Sequence, residues 1–248
     1  MASACFIIGA GPFYGLPVVP GPEDVVLAAD GGYRHCQTAG ITPDLLLGDF
    51  DSLESERPND LPTHTFPVEK DDTDTMLAIR YGLEQGYQTF HLYGGTGGRM
   101  DHTLANLQAL GFLARHGARG YLYEEHMVFT ALCNGSLTLP ARAEGIFSLF
   151  CLGAEAQGVS IRGGQYPLDH GALSPFFPLG VSNHFQGRPV HIAVEDGCVL
   201  VGWELCPPFP PSKQPVAQTK QHGLHSGFCV AAIAGKCVTS PGWRDRGR

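Results

Sequence analysis

Brief apolar runs and amphipathic stretches alternate through the first half of the chain. Cys5–Ile8, Val25–Ala29, Leu45–Leu47 and Phe90–Tyr93 are nearly uninterrupted apolar segments, and each runs straight into glycine or aspartate. Apolar residues on both faces of a short segment mark a strand buried on both sides, as in a parallel sheet. Between these runs, Met76, Ile79 and Leu83 share one helical face, after Asp72-Thr73-Asp74 and before a stop at Gly86. Leu104, Leu107, Leu110 and Leu113 give a second helix a buried face from about Met100 to His116. This alternation predicts an α/β domain over residues 1–132, a parallel sheet with helices on both sides in three layers.

From about residue 133 the period shortens to that of strands. Leu137–Leu139, Ile146–Leu152, Val159–Arg162 and Val190–Val194 are separated by Gly, Pro and Asn, with no helical pattern among them. Asp196-Gly197 between two apolar runs reads as a two-residue hairpin turn. A smaller all-β domain is therefore expected over 133–206. The remainder, 207–248, opens Pro-Pro-Phe-Pro-Pro and holds one apolar run, Phe228–Ala234, so a loosely ordered tail is expected.

Composition narrows the function classes. The 248 residues are 43% hydrophobic and 16% charged, which excludes a disordered chain. The formal net charge of −8 disfavours nucleic acid as a partner, because few cations are available to replace phosphate counterions. No apolar run reaches the ~18 residues that cross a bilayer. The opening Met-Ala-Ser-Ala-Cys has no basic stretch of a signal peptide. Eight cysteines contain no C-x-x-C pair, and a cytoplasmic protein with reduced thiols is expected.

The acidic residues gather where strands end. Asp30, Asp49, Asp51, Asp71, Asp72, Asp74 and Asp101 all fall just after expected strands or at helix starts, the edge where open α/β sheets bind ligands. Singly, each has a structural account: Thr73 or Asp72 can cap a helix, Asp30-Gly31-Gly32 can be a turn, and Asp101 can favour a helix dipole. Together on one rim they repel unless a cation sits among them, and hard carboxylate oxygens suit Mg²⁺ beside phosphate. Gly94-Gly95-Thr96-Gly97-Gly98-Arg99 leads into a helix and offers backbone N–H groups and a guanidinium to phosphate. It is no P-loop, for Gly-Lys-Ser/Thr does not follow. Gly9-Ala10-Gly11 begins like a dinucleotide fingerprint, but Tyr14 stands where its third glycine belongs. His222, His225, Cys229 and Cys237 fit no standard zinc spacing, and Ser182 lies in no nucleophile elbow.

In order, Asp30-Gly31-Gly32, Gly48-Asp49-Phe50-Asp51-Ser52, Lys70-Asp71-Asp72-Thr73-Asp74 and Gly94-Gly95-x-x-Gly98-Arg99-x-Asp101-His102 resemble the thiamine pyrophosphokinase (thiamine diphosphokinase) family. Pro178-Leu179-Gly180-Val181-Ser182-Asn183-His184-Phe185 resembles its C-terminal domain, and the resemblance covers about 4–203. It implies an α/β ATP- and Mg²⁺-binding domain, a C-terminal β-sandwich that binds thiamine, a homodimer with a shared active site, and diphosphate transfer from ATP to thiamine. By the same resemblance Asp49, Asp51 and Asp74 would hold Mg²⁺, with Asp51, Asp74 and Asp101 catalytic. Asp30, Lys70, Thr73, Gly95, Gly98 and Arg99 would bind the nucleotide. Ser182 and Asn183 would bind thiamine, and Tyr166 stands where some members carry a tryptophan. Two other functions use the same residues: a metal-dependent nucleotide pyrophosphohydrolase with water as acceptor, and a non-catalytic thiamine- or nucleotide-binding module.

Overall fold

The computed structural model describes residues 3–48, 62–65 and 72–205. Asp49, Asp51, Lys70, Asp71 and the 207–248 segment, all singled out above, lie outside the described residues. The elements are β1 (Cys5–Ile8), β2 (Val25–Ala29), α1 (Gly32–Ala39), β3 (Leu45–Gly48), β4 (Thr63–Thr65), α2 (Asp74–Glu84), β5 (Thr89–Tyr93), α3 (Met100–Arg115), β6 (Arg119–Tyr123), β7 (Met127–Leu139), β8 (Ile146–Cys151), β9 (Ala156–Arg162), β10 (Leu168–Leu173), β11 (Asn183–His184) and β12 (Val190–Glu204).

The chain divides into two units, one reaching Ala131 and regaining the chain at Gly202, the other spanning Leu132–Val201. The end of β12 thus belongs with the α/β half, whereas the sequence pattern assigns all of 133–206 to the β domain.

In the first unit the sheet order is β7-β6-β5-β1-β2-β3-β4. Strands β1 to β6 run parallel and β7 joins antiparallel to β6. Their apolar runs are buried apart from Val25 at the start of β2, as the unbroken hydrophobicity requires. Helices α2 and α3 pack on the face that carries Cys5, Phe90 and Gly120. A Cβ at Gly82 of α2 would lie 2.5 Å from Phe90, and one at Gly120 would lie 2.6 Å from Leu113 of α3. Phe6, His91, Tyr93, Tyr121 and Tyr123 point to the other face and stack on one another. Helix α1 is an addition to the expected elements; its polar Arg34-His35-x-Gln37-Thr38 leaves only Gly32, Tyr33 and Cys36 buried.

The second unit is all β, with the order β10-β9-β12-β7 and with β8 paired to β12 and β11. Val190, Ile192 and Val194 are buried in alternation with their neighbours, the period of a strand with one covered face. Asp196-Gly197 is no hairpin turn, because β12 continues through it from Val190 to Glu204. Its first half pairs with β9 up to Asp196 opposite Gln157, and farther on the Cys198 carbonyl accepts from Leu152 N–H. With both halves already partnered the strand cannot fold back on itself. Gly197 absorbs the irregularity at φ 102°, and its N–H donates to Asn134 Oδ1 at 2.8 Å. The expectation of reduced thiols is corrected as well. Cys133 of β7 and Cys198 of β12 form a disulfide, brought together across 65 residues with Cα atoms 4.1 Å apart. Among the described residues, no helix is long and apolar enough to cross a membrane.

Candidate active site

The chain moves outward from β1 through β2 and β3 to β4, then returns to place β5 on the other flank of β1. Such a reversal leaves a crevice at the carboxyl ends of the two central strands, where α/β sheets bind ligands. A cleft of about 430 Å³ occupies this position. Its lining comes from the turns after β1 (Gly9–Gly11), β2 (Ala29, Asp30) and β5 (Gly94–Arg99), and from the first turns of α2 and α3.

The two glycine turns form the floor because their backbones touch. Gly9 N–H donates to Tyr93 O and Gly11 N–H to Gly94 O, both at 2.8 Å. A Cβ at Gly11 would lie 2.6 Å from Gly94 O, and one at Gly94, whose φ is 64°, would lie 2.3 Å from Gly9 O. Gly9-x-Gly11 is therefore fixed in shape by this contact and opens no nucleotide-binding helix; the next helix begins only at Gly32. Asn106 of α3, nearly fully buried, donates from Nδ2 to Gly95 O at 2.8 Å and holds the second turn in place. Thr96 Oγ1 in this turn is buried without a hydrogen-bond partner among the described residues.

The walls carry the charge. Asp30 sits at φ 47°, a conformation that costs a non-glycine residue about 1 kcal/mol or more and that clusters at functional sites. Thr73 caps α2, accepting the Met76 N–H at 3.2 Å, and so sets Asp74 in the first helical turn. Asp72 pairs with Arg80 at 3.1 Å. Asp30, Thr73, Asp74, Gly95, Gly98 and Arg99, all named from sequence, are brought together here. Asp101 is not among the lining residues. Its exposed carboxylate is gripped by Arg99, with Nη2 at 2.5 Å and Nε at 3.2 Å, and the same hydrogen bonds hold its pKa below the usual carboxylate value. Asn106, Thr96, Thr75, His102 and Thr103 are lining residues that the motif reading leaves unassigned.

Tyr166, Ser182 and Asn183 lie together in the second unit. Asn183 is 4% exposed, and its amide makes three hydrogen bonds: Nδ2 donates to Tyr166 O at 2.7 Å, while Oδ1 accepts from the N–H groups of Tyr166 and His184. Asn183 thus braces the backbone of Tyr166, a residue that is 59% exposed. Ser182 adopts φ 59° with its N–H donated to Ser148 Oγ at 3.0 Å.

Two family models match the chain: the thiamin pyrophosphokinase catalytic domain over residues 21–122 and the thiamin pyrophosphokinase vitamin B1 binding domain over 136–199. Together they cover about two thirds of the 248 residues. The chain belongs to the thiamin pyrophosphokinase family. A thiamine pyrophosphokinase of Bacillus subtilis is 34% identical over 112 residues, 42% of this chain and 52% of that protein. The match thus spans about half the length of that curated relative. The fold is shared with the crystal structure of thiamine pyrophosphokinase from Bacillus subtilis, with TM-score 0.74 and 22% identity over 82% of this chain and 98% of that one. It is shared also with yeast thiamin pyrophosphokinase, at TM-score 0.64 and 15% identity over 82% and 86%.

Proposed function

We propose that the protein transfers diphosphate from ATP to the hydroxyl of thiamine, with Mg²⁺, releasing AMP. The observation that carries this reading is the cleft at the sheet's reversal point, which joins carboxylates, two glycine turns and Arg99 in a member of this family. The N–H groups of the Gly94–Gly98 turn and the start of α3 suit the phosphate chain, and Arg99 suits its outer oxygens. Asp30 and Asp74 are hard oxygen donors on the wall, the chemistry that Mg²⁺ accepts alongside phosphate and water. In this reading Asp74 would hold the metal with Asp49 and Asp51, and Mg²⁺ there would supply positive charge to the transferring phosphoryl group. Tyr166 presents an exposed ring for the thiamine heterocycle, positioned by Asn183.

The second unit also exposes Phe176 (95%), Phe177, Leu179 and Val181 in one stretch. An apolar patch of this kind supports a homodimer that covers it, and sedimentation at assay concentration tests that: an active monomer would remove the shared-site arrangement. The activity itself is tested by incubating ATP and Mg²⁺ with and without thiamine and identifying products. Thiamine diphosphate and AMP appear only with thiamine if the reading holds. AMP released without thiamine would mark a nucleotide pyrophosphohydrolase, and binding without turnover would mark a binding module.

A further inference from the structure

We propose that His102 accepts the proton of the attacking hydroxyl, a role that rests on the diphosphotransfer reading above. Arg99, His102, Thr103 and Asn106 all line the cleft. Their spacing of i, i+3, i+4 and i+7 is that of one face of a helix, here the start of α3. Asp101 falls off this stripe. Its Oδ1 accepts from Arg99 Nε and from the His102 N–H, and its Oδ2 from Arg99 Nη2, so its lone pairs are committed to stabilising the ionised form. Such a carboxylate is a weak proton acceptor.

His102, by contrast, is an exposed residue of the cleft lining, and its side chain makes no hydrogen bond among the described residues. The other charged groups lining the cleft are Asp30 after β2, Asp72 and Asp74 at the start of α2, and Arg99; Asp101 is the charged neighbour on α3 itself. Arginine keeps its proton, and of the side-chain types present only imidazole exchanges one readily near neutral pH. In the step itself, the hydroxyl oxygen bonds to the β-phosphorus of ATP. The bond from that phosphorus to the oxygen bridging the α-phosphate breaks, and AMP leaves with the electron pair. The hydroxyl proton passes to a ring nitrogen of His102, late in a loose transfer.

The test is His102→Gln in the full chain, which keeps the side chain polar and similar in size but unable to take the proton. We expect kcat to fall about 10²-fold or more, the usual worth of a general base. The acid limb of the kcat–pH profile should vanish, while calorimetric binding of thiamine and of an ATP analogue with a methylene bridge between the α- and β-phosphorus stays within about threefold. His102→Ala should regain turnover on adding imidazole, and Asp101→Asn should keep the acid limb. A His102→Gln enzyme with near-normal kcat and an unchanged acid limb overturns the assignment. So does a variant whose lost turnover is matched by lost binding, or an alanine variant that is folded but deaf to imidazole. Failure of the unsubstituted protein to release AMP with thiamine would instead remove the activity on which the assignment rests.

Discussion

Acid should destabilise this fold through one identifiable group, His91. The side chain stands on the aromatic face of β5, 7% exposed, stacked on Phe6 at 4.7 Å and near Tyr121 at 5.4 Å. Its Nδ1 shares a hydrogen bond with the Tyr123 hydroxyl at 2.9 Å. Burial among rings penalises the charged imidazolium and pushes the pKa down to about 4, with the charge of Asp24 opposing weakly. An unfolded histidine titrates near ~6.5, so between these values the unfolded chain binds more protons and stability rises with pH. The full difference is worth about 3 kcal/mol, absent above about pH 6.5 and complete below about pH 4. That is a sizeable share of the 5–15 kcal/mol, roughly, of a typical domain. His91→Phe removes the titration and keeps the stacking, at a cost of about 1 kcal/mol or more at neutral pH for the Tyr123 hydroxyl left with one partner fewer. Urea unfolding of both proteins from pH 7.5 to 4.5 isolates the effect, since the carboxylates contribute alike to each. The variant should begin less stable and become the more stable of the two near pH 5. A stability difference that stays flat across this range, or a His91 Hε1 resonance titrating near 6.5, would refute the reasoning.

Other perturbations test the remaining contacts. Gly95→Ala would set a Cβ 2.9 Å from Asn106 Nδ2 and from Leu122 Cδ1, so it should cost about 1–3 kcal/mol and weaken ATP binding at least tenfold by calorimetry. Reducing the Cys133–Cys198 disulfide, which closes a separation of 65 residues, should lower stability by about 2–4 kcal/mol, with a Cys133→Ser/Cys198→Ser double variant insensitive to reductant in the same melt. Asp74→Asn should fold normally by circular dichroism and lose nearly all turnover, because the amide keeps the size but not the charge that holds a metal. Deleting 207–248 should leave kcat and KM for thiamine unchanged; a folded deletion protein with most of its thiamine affinity gone would show that Phe228–Ala234 supports the site.

The fold was legible wherever a local pattern and its long-range partner agreed. The apolar runs of β1, β2, β3 and β5 read as strands because a strand covered on both faces has no polar position to break its run. Disagreement arose where the partner decides. Asp-Gly is a strong turn signal on its own, but β12 has β9 along one half and a hydrogen bond to Leu152 on the other, and those bonds outweigh the turn. Helix α1 has no signature in the sequence, because eight residues with a largely polar sequence carry too little periodicity. The disulfide could not be read at all: its cysteines are 65 residues apart, and only the pairing of β7 with β12 makes them neighbours.

In the cleft, motifs located residues more reliably than they separated their tasks. Thr73 both lines the cleft and caps α2, so the structural and functional accounts of that residue are one account: the cap fixes the turn that presents Asp74. Asn183 shows the same economy in the other unit, since three of the amide's hydrogen bonds go to backbone and hold Tyr166 in place. Along α3 the distinction was available from spacing alone. Once Arg99 is placed on the cleft, a helix of 3.6 residues per turn brings positions 102, 103 and 106 to the same side and carries 101 away from it. Acidic residues drew the eye because charge on a rim demands explanation, whereas His102 and Asn106 are unremarkable by composition. What they share with Arg99 is one face toward the cleft, which only the helical register of that segment specifies.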